Sequence, residues 1–466
     1  MLDVLEYAAR NQERYLSQLF EILRIQSVSA DPARAGEVRR AGQWVADFLA
    51  GTGFEHISVM ETGGHPAVYA DWLHAPGTPT IMVYGHYDVQ PEDPIDKWVI
   101  HPTPFEPTVK DGQIWGRGTS DDKAQFMPHI FALEAWLKVR GSLPCNVKIF
   151  IEGEEEGGTG GTHDFVRSHR DLLACDAVAL SDTSWFSPEQ PTIVYALRGI
   201  SYFQVDVKGP ARDLHSGVYG GMLRNPLNAI GQIIAGLQDD QGRLTVPGFY
   251  DDVVPLTEVE KDEFRKVAIN DDERRKDLGV EALFGEAGYT SLERNWARPS
   301  FDVHGIWGGF SGEGSKTVIA SEGGFKFSCR LVANQDPEKI RGLVEDHVRH
   351  LAPSGVKVDV KGLHGGTPVM VPVDNPFLKA GQDAVEAAFG KRPVLVREGA
   401  SIPITAVFLE DLNAPSIMVG FGLDSDNIHG PDEHMPLSHF RNGIAACVHL
   451  YKAFAGVVIP SHSRVP

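Results

Sequence analysis

Cysteine is scarce in this chain: four in 466 residues, Cys145, Cys175, Cys329 and Cys447, with no Cys-x-x-Cys spacing among them. That excludes a disulfide framework and a thiolate zinc site as first readings, and leaves reduced, mostly buried thiols. Long apolar runs are also missing. The most apolar segment, 443–459, is interrupted by His449 and Lys452 and is too short to span a bilayer. The N-terminal stretch carries Asp3, Glu6, Arg10, Glu13 and Arg14 with no continuous apolar core, so it does not read as a secretory signal. Leu16, Leu19, Phe20 and Leu23 recur there at helical spacing and predict an amphipathic helix. A cytoplasmic protein with no membrane partner is expected. Basic charge is in deficit too, 43 Lys and Arg against 63 Asp and Glu for a net −20, which argues against nucleic acid as a partner. The 42% hydrophobic and 23% charged content are those of a soluble globular protein, and the length suggests two or three domains.

What the chain does have is acid, concentrated. A β-like run, Val147 to Ile151, leads into Glu152, Glu154, Glu155 and Glu156 and then a glycine-rich turn. Carboxylates crowded in a desolvated pocket raise one another's pKa unless a cation satisfies them. A solvated acidic loop is the alternative, and the choice rests on whether other strand ends supply ligands. Within the cluster, Glu152 reads as structural and Glu154 as solvent-facing.

Other strand ends do supply them. The apolar run Thr80 to Tyr84 ends in Gly85-His86-Tyr87-Asp88, where open α/β sheets place their ligands. His86 and Asp88, two apart on a strand, point to one side and read as a ligand and the carboxylate that steadies it, or as a hydrogen-bonded structural histidine. Asp121 and Asp122 precede a helix-like run, 124–139, so one of them is a ligand or the pair is an N-cap. Ala177 to Leu180 leads to Asp182, and Ser416 to Phe421 leads to a polar loop holding His429.

From Gly199 the texture changes. Strands over 201–208, 326–332 and 356–361 and helices opened by Asn225-Pro226 and Asp336-Pro337 predict one compact α+β domain. A charge-rich insertion, 253–298, reads as surface helices. The fold expected is α/β: a catalytic domain with a mixed central sheet flanked by helices, 1–198 and 371–466, interrupted by an α+β domain, 199–370.

Two histidines and three or four carboxylates without thiolates suit zinc, manganese or cobalt. If one aspartate bridges two ions about 4 Å apart, they generate a hydroxide nucleophile near neutral pH and polarise a carbonyl. A glutamate beside a ligating glutamate then carries the proton to the leaving amine.

Seven ordered motifs, GHYDVQP, GRGTSDDK, EGEEEGGT, the Asp182 strand end, DLHSGVYGG, REGASIPIT and DNIHGPDE, span nearly the whole chain. In this the sequence resembles the carnosinase-like branch of the dinuclear metallopeptidases, a family that includes aminoacylase, succinyl-diaminopimelate desuccinylase and glutamate carboxypeptidase. The resemblance implies that His86, Asp182 and a bridging Asp121 hold one ion, and that His429, Glu156 and the same Asp121 hold the other. It implies Asp88 as the support of His86, Glu155 as general base and acid, and a cis peptide from Asp121 to Asp122. It further implies that His215 reaches across a homodimer to the oxyanion, that Arg330, His364 and Ser401 bind the substrate carboxylate, and that 199–370 is a lid and dimerisation domain. Ala124 departs from the glycine many relatives carry there. The activity implied is dipeptidase action on short peptides with a free C-terminal carboxylate. An N-acyl-amino-acid amidohydrolase with the same metals is the alternative, and an inactive relative acting as a binding module is the remote one.

Overall fold

The protein is described as a computed structural model that covers residues 1–158, 160–267, 269–399 and 401–459. Thr159 of the glutamate-rich motif and Ala400 of the REGASIPIT motif lie outside the described residues.

Contacts divide the chain into two compact units, 1–195 with 371–396 and 407–466, and 196–370 with 397–406. The short 397–406 segment belongs to the second unit because its contacts are there: Arg397 pairs with Glu260, and Ser401 Oγ donates to the carbonyl of Arg198.

The first unit is built on a mixed sheet, as the sequence predicts. Its strands run in the order Glu55–Met60, Ala67–Trp72, Asn146–Glu152, Thr80–His86, Ala177–Leu180, Ser416–Met418 and Thr192–Leu197. The middle four, Asn146–Glu152 through Ser416–Met418, are mutually parallel. Each of these reads as a short apolar run because both faces are covered. On one of them, Thr80–His86, the helix Lys123–Arg140 packs, and against that helix lies Leu437–Phe454. Lys123–Arg140 has buried side chains from Lys123 to Trp136 on every side, which explains why its sequence shows no amphipathic stripe. Parallel order has a consequence for chemistry: four strands deliver their C-terminal residues to one edge of the sheet.

The N-terminal segment is two helices, Leu2–Arg10 and Gln12–Leu23, interrupted at Asn11, whose side chain bonds the Tyr7 carbonyl. A competing side-chain to backbone bond of this kind is what makes asparagine a helix breaker.

The second unit holds a four-stranded antiparallel sheet in the order Ser300–Gly308, Glu322–Leu331, Gly199–Lys208, Lys357–Gly366. The helices Pro226–Leu237 and Pro337–Leu351 cover one face, where Phe203, Val205, Phe325, Phe327, Ile233 and Val344 form the core. Both helices start as expected, with Asn225 and Asp336 accepting backbone N–H bonds ahead of a proline. The charge-rich insertion forms three short helices, Glu258–Lys266, Asp271–Asp277 and Ser291–Ala297. It is not wholly a surface feature, since Phe264 and Trp296 pack edge to face and Glu286 is buried against Arg298.

Candidate metal centre

The edge where the parallel strands end gathers His86, Asp121, Glu156, Asp182 and His429. His86 closes the Thr80–His86 strand, and Asp182 follows Ala177–Leu180 by two residues. Asp121 sits in the turn before Lys123–Arg140, joined to Asp122 by a cis peptide bond, as the family resemblance implies. Glu156 follows Asn146–Glu152. His429 lies in the 424–433 loop with φ +61°, a left-handed conformation, and its ring stays half exposed while reaching Asp121 and Glu156.

Two three-residue groups result. In His86, Asp121 and Asp182, and again in Asp121, Glu156 and His429, one donor atom per residue lies within 4.8 Å of the others. Asp121 is common to both. Its Oδ1 is 3.0 Å from His86 Nε2 and its Oδ2 is 2.8 Å from His429 Nε2. Asp182 Oδ2 is 3.7 Å from His86 Nε2, and Glu156 Oε2 is 3.3 Å from His429 Nε2.

The donors fit a cation better than they fit one another. His86 is fully buried, yet its Nε2 makes no hydrogen bond despite the 3.0 Å approach of Asp121, because the two are not aligned for one. Glu156 Oε1 is also buried without a partner. Buried orphans of this kind cost about 1–3 kcal/mol each, more for charged groups. Nitrogen and carboxylate donors without sulfur are the set expected for a catalytic zinc site or its manganese or cobalt equivalents.

Electrostatics agree. Burial pushes Asp182 and Glu156 above the ordinary carboxylate range, with Asp121 adding to both. The acceptors Asp121 and Glu156 raise His429 to about 10. Burial opposes the same effect at His86, but Asp121, Asp182 and Asp88 outweigh it and raise the imidazole well above its usual value. Carboxylates pushed toward the protonated form beside imidazoles pushed toward the charged one are what crowding of these groups produces.

Around these donors stands a supporting layer. Asp88 is buried; its backbone carbonyl accepts from His86 Nδ1 at 3.2 Å, its Oδ1 stands 3.3 Å from the same nitrogen without a hydrogen bond, and its Oδ2 accepts from Ser29 Oγ at 2.6 Å and from the Glu156 N–H at 3.0 Å. One residue thus supports a donor of each group, His86 through its carbonyl and Glu156 through its carboxylate. Gln90 Nε2 donates to Glu156 Oε2 at 2.6 Å. Glu155 is half-buried, and desolvation raises its pKa well above normal, with Asp182, Glu156 and Asp121 contributing.

Of the remaining glutamates, Glu152 is structural in the sense expected: it accepts from Tyr84 Oη at 2.7 Å. Glu154 corrects the reading of a solvent-facing residue. It is 3% exposed, and its carboxylate accepts from the N–H groups of His65 and Thr162 at 2.9 and 2.6 Å. An acidic side chain that ties two loop segments together looks, in sequence, like any member of a charge run. Sequence reasoning gave no role to Ser29, nor to Gln90 and Glu433, although the latter two stand inside the GHYDVQP and DNIHGPDE motifs.

The other expected site residues, His215, Arg330, His364 and Ser401, all lie in the second unit. Arg330 Nη1 donates to Ser401 Oγ at 3.4 Å. His364 is exposed and stacks on Tyr202, which stacks in turn on His304, at centroid distances of 4.9 and 5.1 Å. His215 is exposed and caps the short helix Ser216–Tyr219 through the Gly217 N–H. It has no contact in the single chain with Arg330 or Ser401 among the hydrogen bonds of the described residues.

Comparison with known proteins places these features in context. The chain is 31% identical over 454 residues to Cys-Gly metallodipeptidase dug1 of Schizosaccharomyces pombe, covering 94% of this chain and 95% of that one. It is 32% identical over 457 residues to human Beta-Ala-His dipeptidase, covering 94% and 90%. A solved M20 family metallo-carboxypeptidase, Sso-CP2 from Sulfolobus solfataricus, superposes with a TM-score of 0.81 at 29% identity over 95% of this chain and 99% of that one. Residues 82–453 match Peptidase family M20/M25/M40, a span that includes every donor named above, and the chain belongs to that family.

Proposed function

We propose that this protein is a metal-dependent dipeptidase that hydrolyses dipeptides or short peptides with a free C-terminal carboxylate. The observation that carries the reading is the pair of donor groups joined through Asp121, with Glu155 half-buried beside them. In this reading His86, Asp182 and Asp121 hold one divalent ion and His429, Glu156 and Asp121 the other, zinc first and manganese or cobalt as alternatives. When bound, such a pair supplies an activated water and polarises the scissile carbonyl. Glu155 takes the water proton and delivers it to the leaving amine; a carboxyl whose burial already favours the protonated form suits that second step. Asp88 keeps the His86 ring in register by accepting from Nδ1 with its backbone carbonyl.

The lid and dimerisation role is assigned to the second unit, 199–370 in the sequence reading. There Arg330, with Ser401 and His364, holds the substrate carboxylate, and a planar guanidinium suits a bidentate contact. His215 serves the oxyanion of the partner's site in a homodimer, which accounts for its exposure in one chain. No described helix is long and apolar enough to cross a membrane; a cytoplasmic location is part of the proposal.

The relatives named for dipeptide cleavage favour this reading over an N-acyl-amino-acid amidohydrolase. Retention of Glu155 with all five donors speaks against an inactive binding module. The test is a hydrolysis panel of free and N-acetylated dipeptides with added zinc or manganese. Turnover of the free dipeptides is expected. Turnover of the acetylated set alone replaces the reading with the amidohydrolase, and none with either ion in a fully metallated sample removes it.

A further inference from the structure

Arg330 and Ser401 have a cationic neighbour that the reading above leaves without work. Ser401 Oγ donates to the carbonyl of Arg198, and Arg198 Nε donates to the Gly399 carbonyl at 3.1 Å. A Cβ built on Gly399 would stand 3.0 Å from Arg198 Nη2 and 2.9 Å from Asn295 Oδ1, so the glycine leaves room for the guanidinium. Among the described residues neither Arg198 nor Arg330 forms an ion pair with a carboxylate. Burial, and then the like charge of Arg330, pulls the Arg198 pKa down to about 10. A guanidinium desolvated beside another one is unfavourable unless an anion joins them.

Beside Arg198 lies a cavity of about 330 Å³, lined also by Arg274, Arg294, Asn295, Ser300 and Asp302. Ser300 is the register partner of Arg330 across two antiparallel strands, which puts both on one face at one end of the sheet. The charge of the wall is positive. Its Glu286 is already held by Arg298 at 2.6 Å and by Arg243 at 2.5 Å. Arg294 Nε donates only to the Glu286 carbonyl, at 2.9 Å, and Arg274 has no ion pair among the described residues. Asp302 is the one carboxylate of the lining left to oppose these three arginines, and its contact is Ser300 Oγ at 3.5 Å.

We infer that Arg198 and Arg294 form a second carboxylate-recognition site beside Arg330, one that selects peptides whose C-terminal residue carries an acidic side chain. The inference rests on the dipeptidase reading and names the substrate class for it. Arg330 takes the α-carboxylate; the side-chain carboxylate enters the cavity and meets the two unpaired guanidiniums. A glutamine of the same shape brings no charge, leaves them unpaired and is discriminated against on that ground.

The test uses the metal-loaded enzyme with Ala-Glu and Ala-Gln. A kcat/KM at least tenfold higher for Ala-Glu is expected, expressed mainly in KM. Arg294→Gln and Arg198→Gln should each bring the ratio to within about twofold of unity, with Arg198→Lys restoring part of it. Calorimetric binding of N-acetylglutamate against N-acetylglutamine reads the same site without turnover. Equal kcat/KM for the two dipeptides overturns the inference and leaves the dipeptidase reading standing, as does a preference that survives both glutamine variants. Turnover of neither dipeptide sinks the dipeptidase reading, and the calorimetric pair then decides alone, equal affinities overturning the inference.

Discussion

Arg117 Nη1 lies 2.7 Å from Glu433 Oε2, and neither side chain is more than 1% exposed. The same carboxylate accepts the N–H groups of Gly118 at 3.0 Å, Ser120 at 2.9 Å and Asp121 at 3.2 Å. A residue from the far end of the chain therefore gathers the turn that ends in the donor shared by both groups. Replacing one partner of a buried pair leaves the other charge uncompensated, at a cost of about 3–5 kcal/mol. Glu433→Gln is expected to lose stability of that order in urea unfolding and to bind less zinc by elemental analysis. Normal stability with a full metal complement would show that the turn holds itself.

Glu155→Gln separates proton transfer from metal binding. The amide preserves shape but cannot accept the water proton, so kcat should fall about 100- to 10,000-fold. Metal content should stay at the wild-type level, since Glu155 belongs to neither donor group. An unchanged rate removes Glu155 from the mechanism; a lost metal complement makes it a ligand instead.

Metal uptake should release protons. Asp121 and Glu156 hold His429 protonated up to about 10, and a cation binds only the neutral ring. Near neutral pH the proton must leave as the ion enters, so affinity rises with pH until the ring is neutral without help. Titrating the metal-free protein calorimetrically in two buffers of different ionisation enthalpy measures the protons released. Heats independent of the buffer would mean that His429 enters the site already neutral.

How much of this was legible beforehand follows from where the information sits. His86, Asp182 and Glu156 stand where short apolar runs end, and a buried parallel strand has only one place to put a polar residue, so the sequence shows both strand and donor. Glu433 does its work through backbone N–H groups far away in sequence, which its neighbours do not record; Asp88 was legible through its spacing from His86, and only its hold on the Glu156 N–H was hidden. Glu154 was misread because a buried carboxylate bonded to two loop N–H groups has the same neighbours in sequence as an exposed one. The strand Ser300–Gly308 was invisible for another reason. It is the edge of its sheet and largely exposed, so it carries no apolar alternation. The 397–406 segment follows the second unit through two long-range contacts of Arg397 and Ser401, and neither is written in the composition around them.

Behind Asp182 the core contains a polar chain whose protons can be assigned. Ser181 Oγ donates to the Val419 carbonyl at 2.6 Å, so the His129 Nε2–H must donate to Ser181 Oγ, also at 2.6 Å. His129 Nδ1 is then the acceptor of the Tyr451 hydroxyl at 2.7 Å. The ring is fully buried and neutral, its pKa pushed down to about 3 by that burial. Because the unfolded chain protonates near 6.5 while the folded ring does not, the contribution of His129 is present above 6.5 and is lost as pH falls from there toward 3. His129→Gln cannot reach both partners and should cost about 1–3 kcal/mol at pH 7.5 for the hydroxyl left unsatisfied. It carries no such proton linkage, so the stability gap between wild type and variant should narrow when both are unfolded in urea at pH 4.5. A gap that stays constant between the two pH values would mean that the ring is not held neutral in the folded protein.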